Sequence, residues 1–187
     1  MLNKSKIIEI KNKIYSGKNF FLKKITLNNY NKNYVSWLNN KKVNKFLESR
    51  FQKQNLKKIK QFVKNANKDH SIILFGIFYK KEHIGNIKIN INWYHEYATL
   101  GYLIGVSKYQ GKNIGSESIK ICTNICFRFL KLRFCLASVY AKNIASSKVL
   151  EKNRFKVVSK IKNVYKIDKN TYTDKLTYRL YNSKFKS

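Results

Sequence analysis

The residues from Leu103 to Glu117 carry the types and spacing of an anion site. They read Leu103-Ile104-Gly105-Val106-Ser107-Lys108-Tyr109-Gln110-Gly111-Lys112-Asn113-Ile114-Gly115-Ser116-Glu117. An apolar stretch runs into a loop with small residues, and helical periodicity begins on the far side. Amides at a helix start lack intrahelical partners and point outward together, so with the helix dipole they attract phosphate oxygens. Glycine at 111 and 115 lets a ligand come close to the backbone. Taken alone, the same pattern also fits a plain strand-to-helix turn. The three cysteines suggest no comparable chemistry. Cys122 and Cys126 lie four apart on an apolar helix face, and only Cys135 is added to them. Core packing is therefore expected, with no metal, because a zinc site needs further ligands at characteristic spacings.

The elements that must position this loop follow from hydrophobic periodicity. Strands are expected over 20–25, 71–79, 84–92, 98–106, 134–140, 155–161 and 175–181. A helix capped by Thr26 or Asn28 should run to about Leu38, followed by a short turn over 43–47. Gln54-Asn55 opens a clearer helix, in which Leu56, Ile59, Phe62, Val63 and Ala66 recur at helical spacing. The longest helix is expected over 114–130, and a short one over 145–152. The predicted order is β–α–α–β–β–β–α–β–α–β–β, a mixed α/β or α+β domain with about seven strands. One domain is expected over 1–187, with a frayed basic leader over 1–17.

The chain has 187 residues and a formal net charge of +31. A polyanionic partner and simple codon bias toward Lys, Asn and Ile both explain that charge. The lysines are spread along the whole chain rather than gathered in one block. With 43% hydrophobic residues the composition is that of a folded protein. No signal peptide is read at the start, and no apolar run approaches the ~20 residues of a membrane span. A soluble, cytoplasmic protein is expected.

Gln110 to Gly115 resembles the pyrophosphate-binding loop of GNAT acetyltransferases, in which Arg or Gln is followed by two residues, Gly, one residue, and Gly or Ala. Asn113 stands where the first Gly is usual. A second segment, Asn143-Ile144-Ala145-Ser146-Ser147-Lys148-Val149-Leu150-Glu151-Lys152-Asn153-Arg154-Phe155, is similar to the family's second coenzyme-binding segment, with Arg154 in place of a Gly. Its Val-Leu-Glu-Lys form resembles the branch with ribosomal-protein N-terminal acetyltransferases. The resemblance covers about 20–180. It implies a GNAT fold, with a mostly antiparallel mixed sheet, flanking helices and acetyl-coenzyme A between two splayed strands. Coenzyme contacts are implied for Ile104, Gly105, Val106, Gln110, Gly111, Lys112, Asn113, Ile114, Gly115, Ser116, Asn143 and Ser146. A backbone N–H near Ile104 to Val106 would polarise the thioester carbonyl. Ser146, with Ser147 as substitute, would protonate the departing thiolate, because Leu150 holds the position where many members have Tyr. Ser146 also reads as a plain helix N-cap.

Transfer then proceeds by direct attack of a neutral amine, which requires a route for one proton. His95 and Glu96, just before the strand over 98–106, are the candidate bases, and a solvated loop is the alternative for both. Glu48 and Arg50 (in Glu-Ser-Arg-Phe), Asn86, and Trp93 (in Asn-Trp-Tyr-His) are similar to features of GNAT proteins that modify surface polysaccharides and nucleotide sugars. Glu48 would hold an ammonium, Arg50 a phosphate, and Trp93 would stack on a base or sugar. Three acceptors or partners therefore stand open. The first is an amino sugar, free or nucleotide-linked. The second is a protein N-terminus of ribosomal type. The third is nucleic acid, bound by a non-catalytic GNAT-like scaffold. A monomer or homodimer is expected.

Overall fold

The computed structural model describes residues 4–28 and 32–185. Eight strands form one open mixed sheet. They are β1 (Tyr15–Ser16), β2 (Phe20–Lys24), β3 (Ile72–Tyr79), β4 (Glu82–Asn92), β5 (Tyr97–Ile104), β6 (Phe134–Tyr140), β7 (Lys156–Lys166) and β8 (Tyr172–Tyr181). The order across the sheet is β1-β2-β3-β4-β5-β6-β8-β7, and every pairing is antiparallel except β5 with β6. The two-residue β1 is the strand added to the seven read from the sequence.

The helices are α1 (Lys4–Asn12), α2 (Lys32–Asn39), α3 (Lys41–Asn44), α4 (Leu56–Lys68), α5 (Ile114–Asn124) and α6 (Ile144–Lys152). A π-helical stretch, Ile125–Phe129, prolongs α5. Leu27 and Asn28 lie in a turn, so Thr26 does not cap α2 as expected, and residues 29–31, where a helix capped by Asn28 would begin, lie outside the described residues. Asn55 caps α4 as expected, its side chain accepting from the Lys58 amide at 2.9 Å.

Alternation along the strands sorts the core into two layers. One face carries Leu22, Phe75, Ile77, Ile87, Ile89 and Leu100, covered by Ile7 and Ile10 of α1, Ile119 and Cys122 of α5, and Leu150 of α6. The other face carries Leu74, covered by Trp37 of α2 and by Ile59, Val63 and Ala66 of α4. Cys122, Cys126 and Cys135 are buried and free, and among the described residues no group of three or more His, Cys, Asp and Glu is placed to hold a metal. No helix of the described residues is long and apolar enough to cross a membrane.

The N-terminal stretch corrects the expectation of a frayed leader. Lys4–Asn12 is helical, with Ile7 and Ile10 buried in the first core layer. Two isoleucines three apart on one helix face cover strands β2 and β3, and that apolar burial offsets the cost of ordering the segment. Lys11 is buried as well, and its ammonium donates to the carbonyls of Ala66, Asn67 and Asp69 at 3.0, 3.2 and 2.6 Å. These carbonyls sit at the C-terminal end of α4, the negative end of its dipole.

Candidate active site

Strands β5 and β6 pair in parallel only at their first residues, Tyr97 with Phe134, Ala98 with Cys135 and Thr99 with Leu136. Beyond Thr99 they part. β5 stays on β4 as far as Ile104, and β6 stays on β8 as far as Tyr140. The gap between them is a cavity of about 430 Å³ that passes through the sheet. On the α5/α6 face it is lined by Leu100, Tyr102, Asn143 and Ser146, and on the α2/α4 face by Glu48, Asn86, Lys88 and Tyr140. Gly101 lies between, where an added Cβ would meet nothing within 4 Å.

The ladder decides which amides face the gap. Gly105 and Val106 both donate to Ile84 O, at 2.8 and 3.3 Å, so neither polarises a ligand carbonyl. In an antiparallel pair, bonded and non-bonded registers alternate. With Ile84 opposite Gly105 bonded, the Gly85–Ile104 and Ile87–Tyr102 pairs are non-bonded. The amides of Ile104 and Tyr102 therefore turn from β4 toward the gap. Of the stretch expected to act as oxyanion donor, Ile104 keeps the geometry and Tyr102 joins it. Gly105 instead packs on Trp37, whose ring fills the space an added Cβ would need.

The loop after β5 is built for an anion. Gln110 Nε2 donates to Ile104 O at 2.9 Å, which ties the loop to the strand end. Gly111 has φ +75° and open space where a Cβ would be. Asn113, in place of the usual Gly, adopts φ 63° and caps no amide with its side chain. That side chain instead donates to Glu117 Oε1 at 3.1 Å and accepts from Lys152 Nζ at 2.8 Å. Asn tolerates left-handed backbone through such local bonds. The first helical bond of α5 runs from Glu117 N to Asn113 O. The amides of Ile114, Gly115 and Ser116 thus precede the helical ladder, as a phosphate cradle requires. The Ser116 hydroxyl is buried and accepts from Asn153 Nδ2 at 2.9 Å, which leaves its amide as the group to offer. Lys112 stays exposed, 5.7 Å above the Tyr109 ring. Arg154, the second departure from Gly, also takes positive φ, 64°. These residues fit the pyrophosphate of a coenzyme.

Asn143 accepts from the Ser146 amide at 3.2 Å, so Asn143, not Ser146, is the helix cap. The Ser146 side chain lines the cavity beside Tyr102. Burial holds the Tyr102 phenol above its ordinary value. Ser147 is buried behind it, its hydroxyl away from the cavity lining.

The expected base residues are elsewhere. His95 and Glu96 are exposed in the turn between β4 and β5, with Glu96 at φ 53° and its carbonyl accepting from Arg133 N. That turn sits at the end where β5 and β6 still pair, whereas the gap opens toward Ile104. Trp93 is in the same turn, packed against the core, and does not line the cavity. Arg50 is also occupied. Its guanidinium donates to Lys45 O at 2.7 Å, Ile167 O at 2.8 Å and Lys166 O. Its two terminal nitrogens strap the 45–51 segment to the β7–β8 turn, only its buried Nε lacks a partner, and it does not line the cavity.

Glu48 does reach the site. Tyr140 donates to Glu48 Oε1 at 2.6 Å, and its ring stacks on Tyr165 at 4.1 Å. Burial, then the bond to Glu48, pushes the Tyr140 phenol up to about 12, so it stays a neutral donor at physiological pH. Tyr140, Tyr165, Tyr102 and Lys88 were not among the sequence candidates. The alternation of Asn86 with Lys88 on one strand face was a readable signal for Lys88.

Asn86 lines the cavity and is buried, its Oδ1 2.9 Å from His83 Nε2. His83 is enclosed by Tyr34, Trp37 and Phe78, and burial lowers its pKa below 6.5. The unfolded chain then takes up a proton below pH 6.5 that the folded chain refuses, so stability falls as pH drops through that window. His83→Gln should flatten the wild-type decline between pH 7 and 5 by at most about 1.4 kcal/mol per pH unit, measured by urea unfolding. Equal slopes in both proteins would count against a neutral His83.

Comparison with known proteins agrees with this fold. Residues 19–156 match the family model "Acetyltransferase (GNAT) domain". No curated protein sequence matches the chain. Among solved structures, RimL, a ribosomal L7/L12 alpha-N-protein acetyltransferase in complex with coenzyme A, is 18% identical, with TM-score 0.79 over 90% of this chain and 98% of that one. Spermidine N-acetyltransferase from Vibrio cholerae, in complex with CoA and spermine, is 17% identical with TM-score 0.79, over 90% and 98%. The microcin C7 self-immunity acetyltransferase MccE, in complex with acetyl-CoA and AMP, is 17% identical with TM-score 0.77, over 88% and 93%. At these identities the likeness speaks for the fold, while the family match spans most of the chain. The chain belongs to the GNAT acetyltransferase family, and it is an acetyl-CoA-dependent N-acetyltransferase.

Proposed function

We propose that the protein acetylates the primary amine of a small acceptor, which enters from the α2/α4 face and attacks the thioester directly. The observation that carries this reading is the continuous cavity from Ser146 on one face to the Tyr140–Glu48 pair on the other. Acetyl-coenzyme A supplies the acyl group as an activated thioester. The amides of Ile114, Gly115 and Ser116 hold its phosphates. The amides of Tyr102 and Ile104 stabilise negative charge on the carbonyl oxygen. Glu48, at the cavity mouth, holds the amine and receives its proton, with Tyr140 fixing the carboxylate. Ser146, beside Tyr102 in the cavity lining, donates its hydroxyl proton to the departing sulfur and regains one from solvent, to which Glu48 releases the proton of the amine.

An amino sugar remains the acceptor favoured here, but the nucleotide-linked form loses the support of Arg50 and Trp93, which are engaged elsewhere. A protein N-terminus is the second reading, favoured by the net charge of +31, which suits an acidic protein. Release of free CoA thiol with amino sugars, spermidine and acidic peptides as acceptors tests the choice. Turnover of none of them, with acetyl-CoA bound, would overturn the transferase reading for these classes. Glu48→Gln should lower kcat about 100-fold with the affinity for acetyl-CoA unchanged. A kcat within about threefold of wild type would remove Glu48 from the proton route.

A further inference from the structure

The acceptor half of the cavity is poorer in negative charge than an amine site needs to be. Glu48 is the one carboxylate lining it among the described residues, against the ammonium groups of Lys58 and Lys88. Lys88 is half-buried, its ammonium 5.7 Å over the Phe62 ring, and no ion pair engages it among the described residues. Asn86 stands two residues before it on the same strand face. They pair with Leu103 and Gly101 of β5, so both flank the point where the sheet opens. Asn86 is only 6% exposed, and its Nδ2 has no hydrogen-bond partner. His83 holds the Oδ1 side of that amide, which fixes the Nδ2 donor on the other. A buried donor without a partner is destabilising, because it has lost water and gained nothing in return. A half-buried ammonium without a counter-ion is also disfavoured. An acceptor oxygen carrying negative charge relieves both.

We infer that the acceptor is an amine that also bears an acidic group, carboxylate or phosphate, which Lys88 and Asn86 receive while Glu48 and Tyr140 take the amine. This rests on the transferase reading above and adds the substrate class to it. A polyamine fits the site badly, because every ammonium beyond the first would meet Lys58 or Lys88 with no second carboxylate in the lining. A neutral amino sugar satisfies Glu48 and leaves the other two groups as they are. Lys88 and Asn86 act as binding residues here and take no part in proton transfer.

Matched pairs of amines test this on the full-length protein. The phosphate arm compares glucosamine phosphate with glucosamine, and the carboxylate arm compares γ-aminobutyrate with its amide. Spermidine serves as the polycation. Binding to the CoA-loaded protein is read by calorimetry, and turnover by thiol release. In at least one arm the acidic member should bind and turn over about tenfold better than its neutral partner, as a charge-assisted contact implies. The arm that responds identifies which acid is used. Lys88→Met should bring that ratio to within about twofold of one, with acetyl-CoA binding unchanged. The half-buried position makes this variant tolerable to the fold, and its thermal midpoint checks that. Preference for the neutral members or spermidine, or an acidic preference that survives Lys88→Met, overturns the inference while acetyl-CoA binding stands. So does failure of both acidic members to bind. Failure of wild type to bind acetyl-CoA overturns the transferase reading itself, and this inference with it.

Discussion

Gly115→Glu is expected to weaken acetyl-CoA binding by at least about 100-fold, through two effects at one position. Gly115 is buried in the first turn of α5, and a Cβ there would sit 2.6 Å from Cε2 of Tyr102. The ring or the helix must shift, and Tyr102 lines the cavity beside Ser146 and turns its amide toward the gap. Overpacking of this kind costs about 1–3 kcal/mol. The added carboxylate also stands at the positive end of the helix, where phosphate oxygens need the same amides. Titration calorimetry at two salt concentrations checks the result. Wild type should saturate at about one acetyl-CoA per chain. Gly115→Ala separates the two causes, since it brings the steric conflict without the charge and should retain more affinity than the Glu variant. Binding by Gly115→Glu within about threefold of wild type would remove the α5 start from the coenzyme site.

Lys11→Met is expected to destabilise the fold by about 3 kcal/mol, a large share of the ~5–15 kcal/mol typical of a domain. The Lys11 ammonium serves three carbonyls at once, on residues 66, 67 and 69, and the side chain is buried. Methionine keeps much of the apolar stem and removes every donor. The carbonyls are then left partly unsatisfied, beside a helix end whose dipole favoured a cation. For a chain of this size the thermal midpoint should fall by about 6–12 °C. Lys4, exposed on the same helix, provides the control, because Lys4→Met should move the midpoint by no more than about 1 °C. A Lys11→Met midpoint equal to wild type would mean that the 4–12 helix contributes little to stability.

The two positions differ in how far they could be read from the residues. The anion cradle is local. A strand, Gln110, two glycines and a helix start lie within one short stretch, and amides at a helix start need no distant partner to point outward. The Asn143–Ser146 cap is local in the same way, as is the periodicity of α4 with Asn55 before it. Lys11 offered no such signal. Alternating Lys and Ile looked frayed, and the carbonyls that order it are more than fifty residues away. Arg50 looked like a phosphate ligand until its three carbonyl partners appeared, two of them over a hundred residues on.

The family, the loop over 110–115, the Asn143 cap and seven of the eight strands were legible in the residues, because each is written in contacts between near neighbours. Where the sheet opens follows from tertiary structure. That depends on which end of β5 and β6 stays paired, and pairing at Tyr97–Phe134 closes the end where His95 and Glu96 sit. It also depends on the β4–β5 register, which turns the amides of Tyr102 and Ile104 toward the gap and those of Gly105 and Val106 away. Finally, it depends on the approach of Glu48 to Tyr140 across ninety-two residues. Strand register and long-range packing minimise the energy of the whole sheet, so no single stretch of residues encodes them.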